Sequence, residues 1–221
     1  MKLPAIPPPQ PGFMLDLSGD RVIEWSWIYA KIPAGPGKAL DFGTGNSNLC
    51  TAAAMRGYDT LSVDLGVIRR PLLLPNLRFI QGDLNDLALP ERQYDLIINC
   101  STVEHVGIAG RYDVKVDEED GDLKAMWKLR QLMKPEAVHL LTVPVGLDAV
   151  WRPLHRVYGP QRLPRLLEGY RIKSKRCWTK DWFNRWVLTN EDDALRMPTS
   201  PELYGIGCYE LIRDDTAEDR Q

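Results

Sequence analysis

The 221-residue chain lacks the features that would assign it to several specialised classes of protein. No apolar run approaches the roughly 18 residues needed to cross a bilayer. The formal net charge is only −2, so no overall positive charge draws the chain to a polyanion. The one local basic segment is "RIKSKRCWTK", residues 171–180. We therefore expect no membrane insertion and no general binding of nucleic acid.

Cysteine is also scarce, and its spacing excludes the usual cysteine-based sites. The four residues are Cys50, Cys100, Cys177 and Cys208, with no CxxC pair among them. Each stands in or beside an apolar stretch, which predicts reduced, buried thiols in a cytoplasmic protein rather than a disulfide framework or a zinc site. The proline-rich start, "MKLPAIPPPQPGF", lacks the basic-then-apolar order of a signal peptide. We expect residues 1–19 to form an extended arm and residues 214–221 a flexible tail.

Between these ends, apolar strands alternate with helical segments. The predicted strands are "KALDFG", "YDTLSVDLG", "LRFIQGDL", "YDLIINCST", "AVHLLTVPVG", "YRIKSKRCWT" and "GIGCYELIRD". Continuous apolar strands separated by helices indicate a mostly parallel sheet with both faces covered. Residues 20–213 are therefore predicted to form a single doubly wound α/β domain, with residues 20–146 as one half and residues 147–213 as the other.

The glycine-rich stretch "ALDFGTGNSN", residues 39–48, is typical of a nucleotide-binding turn. A phosphate-binding loop would end in Gly-Lys-Ser/Thr, which is missing here. A dinucleotide fingerprint needs a third glycine, and Asn48 stands in its place. Asp41 ends the preceding strand, where a carboxylate repels a pyrophosphate but suits a ligand with an ammonium and a sulfonium group. S-adenosylmethionine (SAM) is such a ligand.

The order of these residues resembles that of class I SAM-dependent methyltransferases. Their first motif is matched by "DFGTGNS", with Ser47 in place of the third glycine, and their ribose-binding acid by Asp64, 21 residues after Gly43. Asp64 alone would serve NAD equally well, but "QGDL" also places Asp83 where these enzymes bind the adenine amino group. The resemblance, which covers about residues 36–146, implies a Rossmann-like seven-stranded sheet. It also implies a set of cofactor-binding residues: Asp41, Gly43, Thr44, Gly45, Asp64, Leu65, Gly82, Asp83, Leu84, Asn99 and Ser101.

A narrower resemblance begins after the fourth strand, at "CSTVEHVGIAGRY", and continues through "HRVYGPQRLPRLLEGY". These segments are similar to a branch of the same enzymes first catalogued as a nematode domain of unknown function. Its bacterial relatives are linked to surface-sugar genes. The segment "KPEA" departs from the Lys-Pro-Gly-Gly of many class I enzymes, but it changes only the choice of turn. This resemblance implies a small-molecule or saccharide acceptor.

Two histidines are candidate general bases because they follow predicted strands at the edge where such enzymes bind their acceptors. His105 comes after strand four in "STVEHVG", and His155 after strand five in "PLHRVYG". An imidazole with a pKa near 6.5 suits proton removal at neutral pH. The alternatives are that Glu104 and His105 frame the methionine end of SAM, and that His155 and Arg156 clamp the substrate or anchor a lid. His139, inside an apolar strand, is predicted to be a core residue.

Two further patterns have both a structural and a functional interpretation. The acidic run at residues 113–122 suggests a divalent metal, but Asn99 stands where metal-dependent relatives have an aspartate, so we predict none. Trp178, Trp182 and Trp186 are spaced by four, which predicts three indoles along one helical face. Such a stripe would either cover the sheet edge or, if exposed, stack on sugars or pack against a partner subunit. Trp25, Trp27 and Tyr29 would join that surface or cover the SAM pocket.

The sequence thus predicts a SAM-dependent methyltransferase that transfers a methyl group to a hydroxyl of a small-molecule or saccharide acceptor, releasing S-adenosylhomocysteine. An N-methyltransferase and a non-catalytic SAM-binding relative are the alternatives. An NAD-dependent reductase would need a Tyr-x-x-x-Lys pair or a comparable acid, and none lies near the strand ends. A homodimer is possible.

Overall fold

The computed structural model describes residues 19–67, 74–112 and 114–215. Most of the predicted N-terminal arm and of the predicted tail therefore lies outside the described residues. The helices are α1 (Asp20–Lys31), α2 (Leu49–Met55), α3 (Gly121–Leu132), α4 (Arg162–Leu166) and α5 (Glu191–Leu195), with a short 3-10 turn at Val103–His105. The strands are β1 (Gly37–Phe42), β2 (Tyr58–Asp64), β3 (Leu77–Gln81), β4 (Tyr94–Cys100), β5 (Met133–Val145), β6 (Ala149–Trp151), β7 (His155–Val157), β8 (Tyr170–Lys180), β9 (Trp186–Thr189) and β10 (Gly205–Arg213).

Eight of these strands form one twisted sheet in the order β3-β2-β1-β4-β5-β10-β8-β9. The pairs from β3 to β5 are parallel, whereas β10 is antiparallel to both β5 and β8. The predicted doubly wound, mostly parallel sheet is confirmed. The strand count differs by one, because β9 adds an antiparallel edge strand beside β8.

Apolar side chains cover both faces of this sheet, as the sequence predicts for a buried parallel sheet. Successive residues of β4 show the alternation: Ile97 belongs to the core cluster beneath α3, while Leu96 and Ile98 belong to the cluster beneath α1 and α2. All four cysteines are buried and none forms a disulfide. His139, fully buried in β5, has its Nδ1 3.3 Å from the hydroxyl of Tyr170, so it is a core residue as predicted.

The tryptophan segment corrects the sequence prediction. Trp178 lies in β8, Trp186 begins β9, and Trp182 lies in the turn between them, so the three indoles do not share a helical face. The Asp181 carboxylate accepts backbone hydrogen bonds from Phe183 at 2.9 Å and Arg185 at 3.0 Å, which stabilises the reversal. The turn at Asp181 therefore makes the segment a hairpin, although the four-residue spacing of the tryptophans is typical of a helix.

Two short strands were also missed by the sequence analysis. β6 and β7 pair antiparallel as a separate two-stranded sheet directly after β5. Three residues each are too few for a period-two pattern to be recognised. Among the described residues, no helix is both long and apolar enough to cross a membrane.

Candidate functional site

A cleft of about 380 Å³ opens at the carboxyl ends of β1 to β4. Parallel strands bring the loops that follow them to one edge, which is where ligands bind in doubly wound sheets. The loops after all four strands contribute to the lining. They supply Gly43, Thr44, Gly45, Asn46 and Ser47 after β1, Asp64 and Leu65 after β2, Gly82, Asp83, Leu84 and Asn85 after β3, and Ser101, Thr102 and His105 after β4.

The loop after β1 needs glycine at its first turn for two reasons. Gly43 has a φ of 71°, and a Cβ at this position would lie 2.0 Å from Cγ2 of Thr102. Its N–H donates to Val63 O at 2.8 Å, which ties the loop to β2. Gly45 also has a positive φ, 47°, but a Cβ there would meet only Gly43 O, at an ordinary contact distance of 3.9 Å. The loop therefore passes close beside the end of β4 at Gly43 and exposes its backbone to the cleft at Gly45.

Asp64 holds two loops of the cleft together. Its Oδ2 accepts the Gly45 N–H and its Oδ1 accepts the Gly66 N–H, both at 2.8 Å. Each carboxylate oxygen can accept more than one hydrogen bond, so a free lone pair remains on each for a ligand hydroxyl. The carboxylate is therefore positioned by the chain itself.

Asp83 has a similar double role at the next loop. Its Oδ1 accepts the Asn85 N–H at 2.8 Å, and the side chain lines the cleft next to buried Leu84. Among the described residues no donor contacts Oδ2. One carboxylate oxygen therefore serves the turn and leaves the other available to a ligand.

Ser47 carries the polar group of the cleft that most clearly needs a partner. Its side chain is 6% exposed, and no residue in the described part of the chain hydrogen-bonds its Oγ. A buried hydroxyl without a partner costs free energy, so a ligand or water is expected to satisfy it. Ser47 lines the same cleft as Gly45 and Asp64.

A buried acid from α1 lies beneath the other end of the cleft. Glu24 accepts hydrogen bonds from Thr142 Oγ1 at 2.8 Å and from the Ser101 hydroxyl, and pairs with Arg21 Nη1 at 2.7 Å. Burial raises the pKa of Glu24, and the Arg21 charge opposes this effect. Arg21 lines the cleft, so this network orients the one arginine among the lining residues that the structure describes.

His105 lies on the 3-10 turn after β4, with its ring at the cleft wall. Nδ1 lies 2.6 Å from Leu154 O, so it carries the proton and leaves the lone pair of the neutral ring on Nε2. Burial lowers the pKa of His105 to about 4, against the effect of that hydrogen bond. Glu104 Oε1 lies 3.6 Å from Nε2, and burial raises the pKa of Glu104 to about 8. At neutral pH the His105 ring is therefore neutral and the Glu104 carboxyl is protonated.

His155 lies behind His105, and it is not among the residues that line the cleft. Its ring contacts His105 edge-on with centroids 6.3 Å apart and contacts Tyr204 at 5.1 Å. Burial lowers the pKa of His155. The structure thus brings the two predicted histidines together but gives only His105 access to the cleft.

Arg156, next to His155 on β7, is a buried anchor. Its guanidinium donates to Glu118 O at 3.0 Å and Glu119 O at 3.1 Å, and also to Val106 O. Val106 and Glu118 both line the cleft. Arg156 therefore anchors loops of the cleft wall, and the substrate clamp and the lid anchor considered for His155 and Arg156 stay predictions.

Two of the predicted cofactor-binding residues are not in the cleft lining. Asp41, in β1, is 1% exposed and lies below the glycine loop. Asn99, in β4, is fully buried, and its amide contacts Met126 Sδ at 3.7 Å on the α3 side. Side chains alternate along a strand, so Asn99 and Cys100 point to opposite faces.

Three aspartates of the acidic run form ion pairs with arginines. Asp117 accepts from Arg152 Nε at 3.1 Å, Asp120 pairs with Arg162 and Arg165, and Asp122 pairs with Arg162. In the described part of the run, residues 114–122, three of the carboxylates are therefore paired with arginines, and that of Glu118 pairs with Lys124. No group of three metal-binding side chains occurs among the described residues.

Several cleft residues were not predicted as site residues. Arg21, Tyr112, Val114 and Val116 line its outer part together with Trp25, for which the sequence had left a covering role open. Arg21 and Trp25 belong to α1, which precedes the glycine motif and has no motif of its own. Only the amphipathic pattern of α1, with aromatic residues beside charged ones, hinted at a position at the cleft.

Comparisons with known proteins agree with this geometry at the level of the fold. Residues 84–184 match the family model described as "Caenorhabditis protein of unknown function, DUF268". The search of curated proteins gives no match.

Three solved structures illustrate the likeness. A putative S-adenosylmethionine-dependent methyltransferase from Listeria monocytogenes is 14% identical with a TM-score of 0.59, over 89% of this chain and 100% of the other. The Burkholderia thailandensis 1,6-didemethyltoxoflavin-N1-methyltransferase, solved with bound 1,6-didemethyltoxoflavin and S-adenosylhomocysteine, is 15% identical with a TM-score of 0.54, over 87% of this chain and 77% of the other. The [4+2]-cyclase SpnF is 12% identical with a TM-score of 0.60, over 86% and 79%. The chain therefore has the Rossmann-like fold of the class I SAM-dependent methyltransferases, with a central segment that matches the nematode domain of unknown function.

Proposed function

We propose that the protein is a SAM-dependent methyltransferase acting on a hydroxyl of a small-molecule or saccharide acceptor. The observation that carries this proposal is the single cleft into which four consecutive strands deliver the glycine turn, Asp64, Asp83 and Ser101. These residues were identified from the sequence as separate motifs. Their convergence on one cavity supports a shared ligand.

The residues of the cleft fit SAM from one end to the other. Asp64 would accept the ribose hydroxyls, and the free Oδ2 of Asp83 would accept the adenine amino group, with Leu84 against the ring. The backbone at Gly45 and the unsatisfied Ser47 hydroxyl would take the methionine end. Asp41 is buried beneath that turn, on the side where the ligand would carry its ammonium and sulfonium groups.

When bound, SAM supplies an electrophilic methyl group, so the chain's own residues have to orient the acceptor and remove its proton. His105 fits this task because its Nδ1 proton is committed to Leu154 O and its Nε2 lone pair is free. The low pKa of His105 keeps the ring neutral at physiological pH. His155 has no cleft contact and is proposed as a positioning residue that packs against His105.

The outer part of the cleft is where the acceptor would lie. Trp25 and Tyr112 provide ring faces, Val114 and Val116 provide apolar contacts, and Arg21 provides a cation held by Glu24. Rings beside polar groups suit a small polar molecule with one apolar face, such as a sugar. Glu118 on the same wall adds an acceptor for hydroxyl groups.

The test is a calorimetric titration with S-adenosylhomocysteine and, separately, with NAD. We expect micromolar binding of S-adenosylhomocysteine alone. Asp83→Asn keeps one oxygen for the Asn85 N–H but turns the other acceptor into a donor facing the adenine amino group, so affinity should fall at least about tenfold. Asp64→Asn should also weaken binding, although it disturbs the two loops as well.

The matched control is Asp59→Asn, at the opposite end of β2 from Asp64, where the carboxylate pairs only with exposed Arg78. It should bind like the wild type. Binding of NAD in place of S-adenosylhomocysteine, or of neither, would reject the proposal.

N-methylation is the alternative favoured by a specific observation, since the toxoflavin enzyme of the same fold methylates a nitrogen. An amine acceptor often needs no protein base, so activity would survive the loss of His105. A non-catalytic relative would bind S-adenosylhomocysteine without turnover. The [4+2]-cyclase has the same fold and is named for a reaction other than methyl transfer.

A further inference from the structure

The turn between β8 and β9 holds the two most exposed aromatic side chains of the described residues. Trp182 is 97% exposed and Phe183 is 75% exposed. They are consecutive and lie at the tip of a protruding hairpin, which we define as residues 180–186. Isolated exposed rings are common, but two adjacent rings at a tip mark a contact surface.

The hairpin tip is built to hold these rings outward. The Asp181 N–H donates to Arg185 O at 2.9 Å, the Asn184 N–H donates to Asp181 O at 3.0 Å, and the Asp181 carboxylate accepts two further backbone N–H groups. Asn184 adopts a φ of 60°, which closes the turn. Little conformational freedom is therefore lost when the rings make a contact.

Cationic groups accompany the rings. The Arg185 guanidinium lies 5.1 Å from the centre of the Phe183 ring, and Lys180 Nζ lies 5.1 Å from the centre of the Trp186 ring. Asp181 offsets one of the two charges through its ion pair with Arg185 at 2.6 Å. The tip thus combines two apolar rings with one net positive charge. The nearest acidic segment in sequence is the first turn of α5, which follows Thr189. Thr189 pairs with Cys177, three residue pairs along the hairpin from Lys180 and Trp186, so this acidic turn begins about 10 Å from the tip.

The tip and the cleft lie at the same edge of the sheet. β8 and β5 are both antiparallel to β10, so the carboxyl end of β8 lies beside the carboxyl end of β5. The Trp186 indole donates to Gly19 O at 3.2 Å, which connects the hairpin to the start of α1. Arg21 and Trp25 of the same helix line the cleft.

We propose that this hairpin tip docks on an anionic phospholipid surface, with Trp182 and Phe183 in the headgroup region and Lys180 and Arg185 among the phosphates. Rings with flanking cations are the combination that interfacial anchors use. The tip is convex and small. Two aromatic side chains bury on the order of 300–500 Å², well below the roughly 800 Å² per partner of a stable protein interface. A fluid bilayer accommodates such a tip without a complementary shape.

What docking would mean for the acceptor rests on the proposed methyltransferase function. Since the tip and the cleft share an edge, docking would bring the cleft towards the bilayer, and the acceptor would then be a molecule anchored in that surface. The docking itself would place only the Trp182 and Phe183 rings in the headgroup region of the bilayer. It differs from the membrane insertion that the sequence excludes.

The experiment is co-sedimentation of the full chain with phosphatidylcholine vesicles, with and without phosphatidylglycerol. We expect binding to the anionic vesicles that weakens as salt is raised, because part of the attraction is electrostatic. The double variant Trp182→Ala/Phe183→Ala should need at least about tenfold more lipid for half-binding, since two ring anchors are lost. Lys180→Gln should weaken binding only to the anionic vesicles.

Trp127→Ala is the matched control, because Trp127 is also largely exposed but lies on α3. It should bind lipid like the wild type. S-adenosylhomocysteine affinity should be the same in all variants, so failure of docking and failure of the proposed function are separate results. Equal lipid binding by the wild type and the tip variant would overturn the proposal. So would self-association in the absence of vesicles that the tip variant abolishes, since the tip would then be a contact with a second copy.

Discussion

Gly43 and Thr102 lie against each other where the loops after β1 and β4 meet. The Thr102 hydroxyl lies 3.2 Å from Gly43 O, and a methyl group on Gly43 would overlap the Thr102 side chain at 2.0 to 2.7 Å. This contact fixes the distance between the glycine turn and the loop that carries His105. The two halves of the cleft are therefore joined by a position that only glycine can occupy.

Substituting this glycine should cost much more than substituting its neighbour in the motif. Gly43→Ala combines a positive φ with a steric overlap, whereas Gly45→Ala has the positive φ alone. We expect Gly45→Ala to lower the free energy of unfolding by about 1–2 kcal/mol, and Gly43→Ala to lower it by at least about 2 kcal/mol more. Urea denaturation of the ligand-free proteins measures both values. Equal losses would show that the loops do not meet as described.

The two histidines should differ in their effect on turnover. His105→Ala should lower kcat by about 10²–10⁴-fold with S-adenosylhomocysteine affinity unchanged, because it removes the proposed base. His155→Ala should cost less than about tenfold. Steady-state kinetics on any accepted hydroxyl substrate provides the comparison, and the reverse ranking would move the base to His155.

The pH profile should show the lowered pKa of His105. The base must be neutral to act, and burial lowers its pKa to about 4. Activity in the wild type should therefore stay level as pH falls from 7 to 5 and decline only near the folded pKa. A decline centred near 6.5 would be that of an ordinary histidine and would contradict the assigned environment.

Glu104 should make the protein less stable as pH rises. Its folded pKa of about 8 lies above the unfolded value, so stability from the protonated form is complete below about 4.5 and is lost as pH rises towards 8. Glu104→Gln removes this dependence. Its stability relative to the wild type should therefore increase by up to about 1.4 kcal/mol per pH unit across that window. His105 and His139 are present in both proteins, so the difference isolates Glu104. Parallel stability curves would contradict this prediction.

Arg156 should be a stabilising residue of the cleft wall. Arg156→Met leaves several buried carbonyl groups without their donor, which should cost about 3 kcal/mol or more. Arg152→Met is the control, because this half-exposed arginine pairs with exposed Asp117 and should cost less than about 1 kcal/mol. Thermal and urea unfolding measure the two losses. Similar values would mean that Arg156 does not anchor the loops.

The parts of the fold set by repeated local patterns could be predicted from sequence. The strands β1, β2, β4 and β5 contain long buried, mainly apolar runs, and the glycine turn follows its strand directly. The side on which a single polar residue points is harder to predict, because a shift of one residue moves a side chain to the other face. Asn99 illustrates this, since it faces Met126 while Ser101, two residues later and beyond the end of the strand, lines the cleft.

Features that depend on distant contacts could not be predicted. Arg21 reaches the cleft only because α1 packs beneath β4 and β5, where Glu24 meets Ser101 and Thr142. The tryptophan spacing fits a helix by itself. Only the Asp181 turn and the pairing of Lys180 with Trp186 show that the segment is a hairpin.

A crystal structure of the protein with S-adenosylhomocysteine tests the central claim most directly. We predict adenine beside Asp83 and Leu84, the ribose hydroxyls on the Asp64 carboxylate, and the amino-acid end at Gly45 and Ser47, with the sulfur facing the side of the cleft that holds His105. Density for the ligand anywhere outside this cleft, or with its ends reversed, would contradict the account.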